Sequence, residues 1–314
     1  MQSVILLALP VCRACGLSRV LSNDHQGEIR LSLSQVIGAD HAVVAVRDLD
    51  AAAEKWRRLG FTLSPRGTHS PHLGSGNYTI VFDIDYIELL GVLAETPHNA
   101  ATRAFLAERE GLERVAFTAL DSAAGVAELK VRGIAALGPI DFGRPVDLPD
   151  GGKSEARFRV MHWPVDERPG GLRIFACQHL TRETVWIKSL QTHANTARRL
   201  MQVEMLTADP KAAGAHMTRL IDQPAEALAD GGVRVSSGAN RADFIFLDQA
   251  TLAKRHPGVS LAGLPKEGAV GLRIGVADAA AAAKAVGSAG VIGERTVTVP
   301  ASAATGVMIT FDAT

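Results

Sequence analysis

The chain has 314 residues, with 33 Lys and Arg balanced by 33 Asp and Glu, so its formal net charge at pH 7 is zero. Hydrophobic residues make up 47% and charged residues 21%, the composition of a globular protein of about two domains. The zero balance argues against a nucleic-acid partner or a polybasic membrane-surface role, and 5% aromatics argues against a base-stacking platform.

The first 37 residues carry no sustained periodicity and are expected to be a flexible N-terminal extension. The apolar run Val4–Leu9 is far shorter than the ~20 residues of a membrane helix, and no Lys or Arg precedes it as in a secretory signal. No other long apolar run follows, which predicts a cytoplasmic protein without a membrane partner. Cys12 and Cys15 have the spacing of half a zinc site, but no second such pair exists. With Cys177 they are too few for a disulfide framework, and Cys177 reads as a small buried hydrophobe.

The organised pattern starts near Val36. Ala39–Val46 reads as a strand, Asp48 as the N-cap of a helix over Ala51–Leu59, and Gly60 as its stop. Phe61–Pro65, Tyr78–Phe82 and Tyr86–Val92 read as three further strands, giving a β-α-β-β-β unit. The same order recurs. Leu112–Leu120 is followed by a helix capped by Asp121, then strands over Leu137–Phe142, Ala156–Trp163 and Leu172–Cys177. Leu200–Leu206 precedes a helix begun by Asp209-Pro210, with strands over Gly232–Ser236 and Ala242–Leu247. Val270–Val276 precedes a helix capped by Asp278, with strands over Thr296–Val299 and Gly306–Phe311. The four capping aspartates lie 73, 88 and 69 residues apart, a spacing that points to an internal repeat.

A β-α-β-β-β unit makes a small curved sheet with a helix on its convex face, and two such units pair into a cup. The expected fold is therefore α+β, with four modules pairing into two cup-shaped sheets. The boundaries read from the pattern are a first cup over 38–182, a polar linker over 183–198 and a second pair of modules over 199–314.

The run from Asp40-His41 to Asp50, then Leu59-Gly60-Phe61 and Tyr86-Ile87-Glu88-Leu89-Leu90, resembles the vicinal oxygen chelate superfamily, in its glyoxalase-like branch. His72–Asn77, Cys177-Gln178-His179, Trp186 and His193-Ala194-Asn195 add to the likeness. It is firm over about 38–195 and fold-level over 199–312. The superfamily includes lyases, epimerases, dioxygenases, thiol transferases and metal-free binding proteins, so fold does not fix reaction.

The resemblance implies metal ligands on the first and fourth strands of a module, and His41 and Glu88 stand at those positions. A neutral imidazole and a carboxylate suit Fe, Mn, Co, Ni or Zn. The second module departs from the pattern. Counting back seven residues from each capping Asp gives His41, Arg114, Gln202 and Gly271, and the counterpart of Glu88 is Phe175. A third ligand is expected from His179, with His72 the other candidate. Arg114 is expected to neutralise Glu88 or clamp an anion, and His72 or Arg114 to assist catalysis. Asn77, Tyr86, Gln178, His193 and Asn195 are expected substrate contacts, the last two alternatively capping the next element. His25, His98, His216 and His256 read as surface residues, and the second half shows no paired His and Glu on its cup face.

Two functions follow from this reading. One is a metal-dependent lyase, isomerase or dioxygenase that chelates two neighbouring oxygens of a small substrate. The alternative is a metal-free module that sequesters a small molecule, as resistance-type relatives do. Monomer and homodimer both fit four modules. There is no Walker or Rossmann glycine pattern and no G-x-S-x-G elbow.

Overall fold

The computed structural model describes residues 21–23, 29–31, 33–148 and 151–313. The Cys12/Cys15 pair, the apolar run at 4–9, His25 and most of the expected extension lie outside the described residues. The strands β1 (Leu21–Asn23) and β2 (Ile29–Leu31) pair as an antiparallel hairpin.

Residues 33–314 form one compact unit. In chain order the first half contains β3 (Val36–Val46), α1 (Leu49–Arg58), β4 (Gly67–Thr68), β5 (Ser75–Val81), β6 (Tyr86–Val92), α2 (Ala100–Glu108), β7 (Gly111–Ala119), α3 (Ser122–Val131), β8 (Leu137–Asp147), β9 (Lys153–His162) and β10 (Arg173–His179). The second half contains β11 (Ala197–Leu206), α4 (Pro210–Ile221), β12 (Ala225–Ala227), β13 (Val233–Val235), β14 (Asp243–Leu247), α5 (Gln249–Arg255), β15 (Gly268–Val276), α6 (Ala279–Val286), β16 (Val291–Ile292), β17 (Thr296–Val299) and β18 (Met308–Ala313).

Each half is one eight-stranded sheet. The strand orders are β4-β5-β6-β3-β7-β10-β9-β8 and β12-β13-β14-β11-β15-β18-β17-β16. Within a sheet the first strands of the two modules pair antiparallel at the centre, β3 with β7 and β11 with β15. Each pairs parallel on its other side with the last strand of its own module, as β3 does with β6. The expected α+β fold of four modules in two cups is what the chain adopts.

The capping aspartates explain where the helices begin. Asp48 accepts from Ala51 N, Asp121 from Ala123 and Ala124 N, Asp209 from Ala212 N, and Asp278 from Ala280 and Ala281 N. Each carboxylate satisfies amides that have no partner within the helix. The expected strand over Phe61–Pro65 is not a ladder strand; the module pairs two residues later, at β4. Helices α2 and α5 are additions to the repeat, the latter capped by Asp248.

Strand alternation sorts the core. Ala42, Val44 and Val46 of β3 join Ala52, Ala53 and Trp56 of α1 in a core that also takes in the convex side of the second half. Phe61 meets Phe311 at 5.6 Å and Phe117 meets Phe244 at 5.7 Å between ring centroids. The Trp56 indole donates to Thr305 Oγ1 at 2.9 Å, and the Trp163 indole to the Leu220 carbonyl at 3.1 Å. Each cup face packs separately, Val43, Tyr86, Leu90, Phe158 and Phe175 in one half and Leu206, Ile245, Leu247 and Val270 in the other. No helix among the described residues is long and apolar enough to cross a membrane.

Residues 183–198 run between the sheets pinned to the first module. Gln191 Nε2 donates to the Phe82 carbonyl at 2.8 Å. His193 takes a bond from Thr62 N at its Nδ1 and gives one to the Val81 carbonyl from its Nε2.

Candidate functional site

The concave face of the first sheet encloses a cavity of about 130 Å³. The pairing register places its polar lining. His41 sits beside Tyr86, and Val43 beside both Glu88 and Arg114. Across β5 and β6, Asn77 pairs with Leu90 and Thr79 with Glu88. The far wall is Phe158, Val160, His162 and Phe175, from the strands that alternation turns the same way.

His41 is fixed on every side. Its ring stacks on Tyr86 at 4.2 Å, with Phe175 edge-on at 5.5 Å. Its Nδ1 lies 2.8 Å from Asp40 Oδ1. Strict alternation would turn Asp40 away from its neighbour. A bulge defeats it: between Ala39 and His41 the strand advances two residues while β7 advances one. Asp40 Oδ1 also meets His179 Nε2 at 2.9 Å, and Oδ2 accepts from Thr118 Oγ1 at 2.7 Å. Burial opposes ionisation of Asp40, yet His179 and His41 hold its carboxyl well below the usual range.

On the opposite edge of His41, Nε2 lies 3.9 Å from Glu88 Oε2. The other Glu88 oxygen accepts from Asn77 Nδ2 at 2.7 Å and lies 3.7 Å from His69 Nε2. His69 Nδ1 is tied to Ser75 Oγ at 2.9 Å. Burial opposes the Glu88 charge, but His69, His41, Arg114 and the Asn77 amide outweigh it and keep the carboxyl ionised below its ordinary value. Burial presses the His69 pKa down to about 4, with Arg144 and Arg114 adding to it against the pull of Glu88. His69 is therefore a neutral imidazole at neutral pH. His162, stacked on Phe175, is also pushed down to about 4, by burial and by Arg114 and Arg173. Burial drives the Cys177 thiol well above its usual range, which makes it inert.

The structure therefore divides the expected metal set. His179 and Glu88 meet opposite edges of His41, so His41, Glu88 and His179 do not converge on one point. Asp40, His41 and His179 do offer three donor atoms within 4.8 Å of one another. Those atoms already hydrogen-bond each other, however, and neither Asp40 nor His179 lines the cavity. The group open to the cavity is His41 Nε2, His69 Nε2 and Glu88. Among the described residues neither Nε2 makes a hydrogen bond, and both stand beyond hydrogen-bond reach of the Glu88 carboxylate. Ligands ~2.1 Å from one ion are about 3.0 Å apart at right angles and about 4.2 Å apart when opposite. The separations of 3.7 and 3.9 Å fall in that window but run to different Glu88 oxygens, and among the described residues only Asp40, His41 and His179 bring three donor atoms within 4.8 Å of one another. With Nδ1 of each ring anchored by Asp40 or Ser75, the two imidazoles flank one carboxylate, a donor set of the kind that holds a divalent metal, and they would have to draw together to share one ion.

The other expected site residues are placed as follows. His72 is exposed, faces His98 at 5.4 Å and does not line the cavity; the inward histidine of that loop is His69. Arg114 lines the cavity but pairs with Glu113 and donates to Thr102 Oγ1 at 3.0 Å, with no direct pair to Glu88. Gln178 accepts from Ser122 N at the start of α3. His193 ties down the 183–198 segment, and Asn195 donates to the Leu59 carbonyl and accepts from Ala197 N. These three serve the fold and stand outside the cavity lining, whereas Asn77 and Tyr86 face into it. His98, expected on the surface, is exposed yet lines the cavity mouth.

The second half does carry a His–Glu pair. His256, which follows α5, is buried and bonds Glu204 Oε2 at 2.8 Å. Leu252, Leu261 and Leu264 pack with the apolar residues of that cup face, and with Leu206 they line a cavity of about 640 Å³.

Comparison with known proteins follows this geometry. A family profile described as "Glyoxalase-like domain" matches residues 39–221. No curated protein sequence matches the chain. A hypothetical protein from Staphylococcus aureus is similar in structure, with TM-score 0.63 and 12% identity over 88% of this chain and 99% of that one. A mutant of 4-hydroxymandelate synthase from Streptomyces coelicolor is similar with TM-score 0.55 and 11% identity over 89% and 93%. At these identities the likeness is one of fold.

Proposed function

The chain belongs to the glyoxalase-like domain family of the vicinal oxygen chelate superfamily, and from that premise we propose that its first cup is the active site of a metal-dependent enzyme acting on a small oxygenated molecule. One observation supports this reading: His41 Nε2 and His69 Nε2 flank Glu88 on the cavity lining, each within 4.0 Å of one of its oxygens and neither hydrogen-bonded to it. Two imidazoles and a carboxylate suit Fe, Mn, Co, Ni or Zn. Such an ion would supply Lewis-acid chemistry toward two neighbouring substrate oxygens, as in a lyase, an isomerase or a dioxygenase.

The chain's own residues prepare the site. Asp40 takes the Nδ1 proton of His41 as a hydrogen bond and turns the Nε2 lone pair toward Glu88. Ser75 anchors His69 in the same way, and Asn77 orients Glu88. The Tyr86 ring covers one face of His41, and Phe142, Phe158 and Phe175 keep the cavity wall dry. His162, neutral at neutral pH, can hydrogen-bond a molecule lying along the Phe175 wall. The substrate partner is a small molecule, and the reading places the protein in the cytoplasm as a monomer or homodimer.

Arg114 and Phe175 stand where the second module of a four-ligand site would add donors. They favour a second reading, a metal-free cup that sequesters its ligand.

The deciding experiment is elemental analysis after incubation with each ion, on wild type and on the His41→Ala, His69→Ala, Glu88→Ala and His179→Ala variants. About one ion per chain, lost in the first three and kept in His179→Ala, is the expected result. Wild type that takes up no ion under any condition refutes the enzyme reading in favour of sequestration.

A further inference from the structure

We propose that Arg144 is the recognition residue for a carboxylate, so that the molecule entering the first cup is a small monoanionic acid with an apolar body. The inference rests on reading this cup as the substrate site, and it does not depend on a metal.

Arg144 lies on β8 and is 6% exposed. Among the described residues it makes no hydrogen bond and has no carboxylate oxygen within 4.0 Å, and its Nε is buried without a partner. The other half-buried guanidinium groups of this sheet each have a carboxylate partner: Arg114 and Arg173 share Glu113, and Arg159 pairs with Asp141. In the second sheet Arg273 pairs with Asp312, and Arg199 donates to the Asn240 carbonyl. An unpaired charge held away from water is costly, and a bound anion removes that cost.

The surroundings are built to keep the guanidinium there. A side chain at Gly67 would occupy its space, since a Cβ would lie 2.8 Å from Arg144 Cδ and 2.5 Å from Asn77 Oδ1. Asn77 Oδ1 is itself buried without a donor. Arg144 lines the same cavity as Glu88, whose negative charge opposes any second negative group placed beside it. An acid therefore enters with its carboxylate on the Arg144 fork and its remaining polar end toward Glu88. A planar fork matches the two oxygens of a carboxylate, and Glu88 in the same lining disfavours the second charge of a dianionic phosphate. Between the two ends the wall is apolar: Phe142 stacks on Phe158 at 5.0 Å, and Phe175, Leu90 and Val185 complete it.

The test is calorimetric titration of the purified full chain with matched acids and amides, phenylacetate against phenylacetamide and benzoate against benzamide. In wild type at least one acid is expected to bind at least about tenfold more tightly than its amide. Arg144→Met should lose about tenfold to a hundredfold in acid affinity and leave amide binding unchanged, with Arg144→Lys recovering part of the loss. Glu88→Gln should keep the acid preference while losing metal, which separates this proposal from the metal reading. The proposal is overturned if no acid outbinds its amide in wild type, or if Arg144→Met keeps the preference. The wild-type comparison decides even if Arg144→Met does not fold.

Discussion

Asp85 provides a quantitative test of how the two halves are joined. It sits in the turn between β5 and β6, is 1% exposed, and accepts from Leu200 N of β11 at 2.9 Å through Oδ1. Its other oxygen is buried with no partner. Burial pushes its pKa up to about 7, against the opposing effects of the Leu200 amide, Arg241 and Arg199. In the unfolded chain the same group titrates near ~3.9. The folded state therefore holds a proton that the unfolded state has released between about pH 4 and 7. Stability from this group is fully present below pH 4 and is lost as pH rises through 7. A shift of about three units corresponds to about 4 kcal/mol, of which about 2–3 kcal/mol falls between pH 5 and 8. Asp85→Asn keeps the acceptor for Leu200 and removes the titration. His69 and His162, lowered to about 4, act in the opposite sense as pH rises from 4 to 6.5, and they are common to both proteins. Guanidinium unfolding of both at pH 5 and pH 8 isolates the Asp85 contribution. The difference between wild type and Asp85→Asn is expected to move by about 2–3 kcal/mol in favour of the variant at pH 8. Parallel pH profiles would refute the claim that this carboxyl is buried and destabilised when charged.

The repeat was legible because its signals are local. An acidic cap after a β-branched strand is written in a few consecutive residues, and all four such caps are present in the structure. The inward direction of His41 and Glu88 followed from alternation along β3 beyond its bulge and along β6. What alternation could not supply is what breaks or outruns it. The bulge at Asp40 turns two adjacent residues toward one cluster. Placing a strand at 61–65 hid the pairing of Gly67 with Asn77 and the backbone bond from His69 N to the Ser75 carbonyl, which together carry His69 into the cavity. Ending the sixth strand of the chain pattern at Phe142 left out Arg144, two residues further on. In the second half, α5 interrupts the repeat and delivers His256 to Glu204, a contact 52 residues apart that no periodicity encodes. The same helix and the loop after it bring Leu252, Leu261 and Leu264 into that cup. The two cups thus share a backbone plan and differ in what an insertion places inside them.

Trp56→Ala should cost about 3–5 kcal/mol in denaturant unfolding, because a fully buried indole and its bond to Thr305 are lost together; a cost under about 1 kcal/mol would contradict the shared core. Asp40→Asn should weaken metal affinity about tenfold to a hundredfold in competition with a fluorescent chelator, since it removes the anion that orients His41; unchanged affinity would show that Asp40 has no such role. Gly67→Ala tests the site from its rim. The backbone there is not in the left-handed region, so space alone decides, and the added Cβ would stand 2.5 Å from Asn77 Oδ1. Asn77 must swing away, which breaks its 2.7 Å bond to Glu88 and leaves a buried carboxylate with one support fewer. Overpacking of this kind costs about 1–3 kcal/mol, and metal binding should fall with far-UV circular dichroism unchanged. A variant that keeps both wild-type stability and wild-type metal affinity would show that the Asn77 amide is not what holds Glu88 in place.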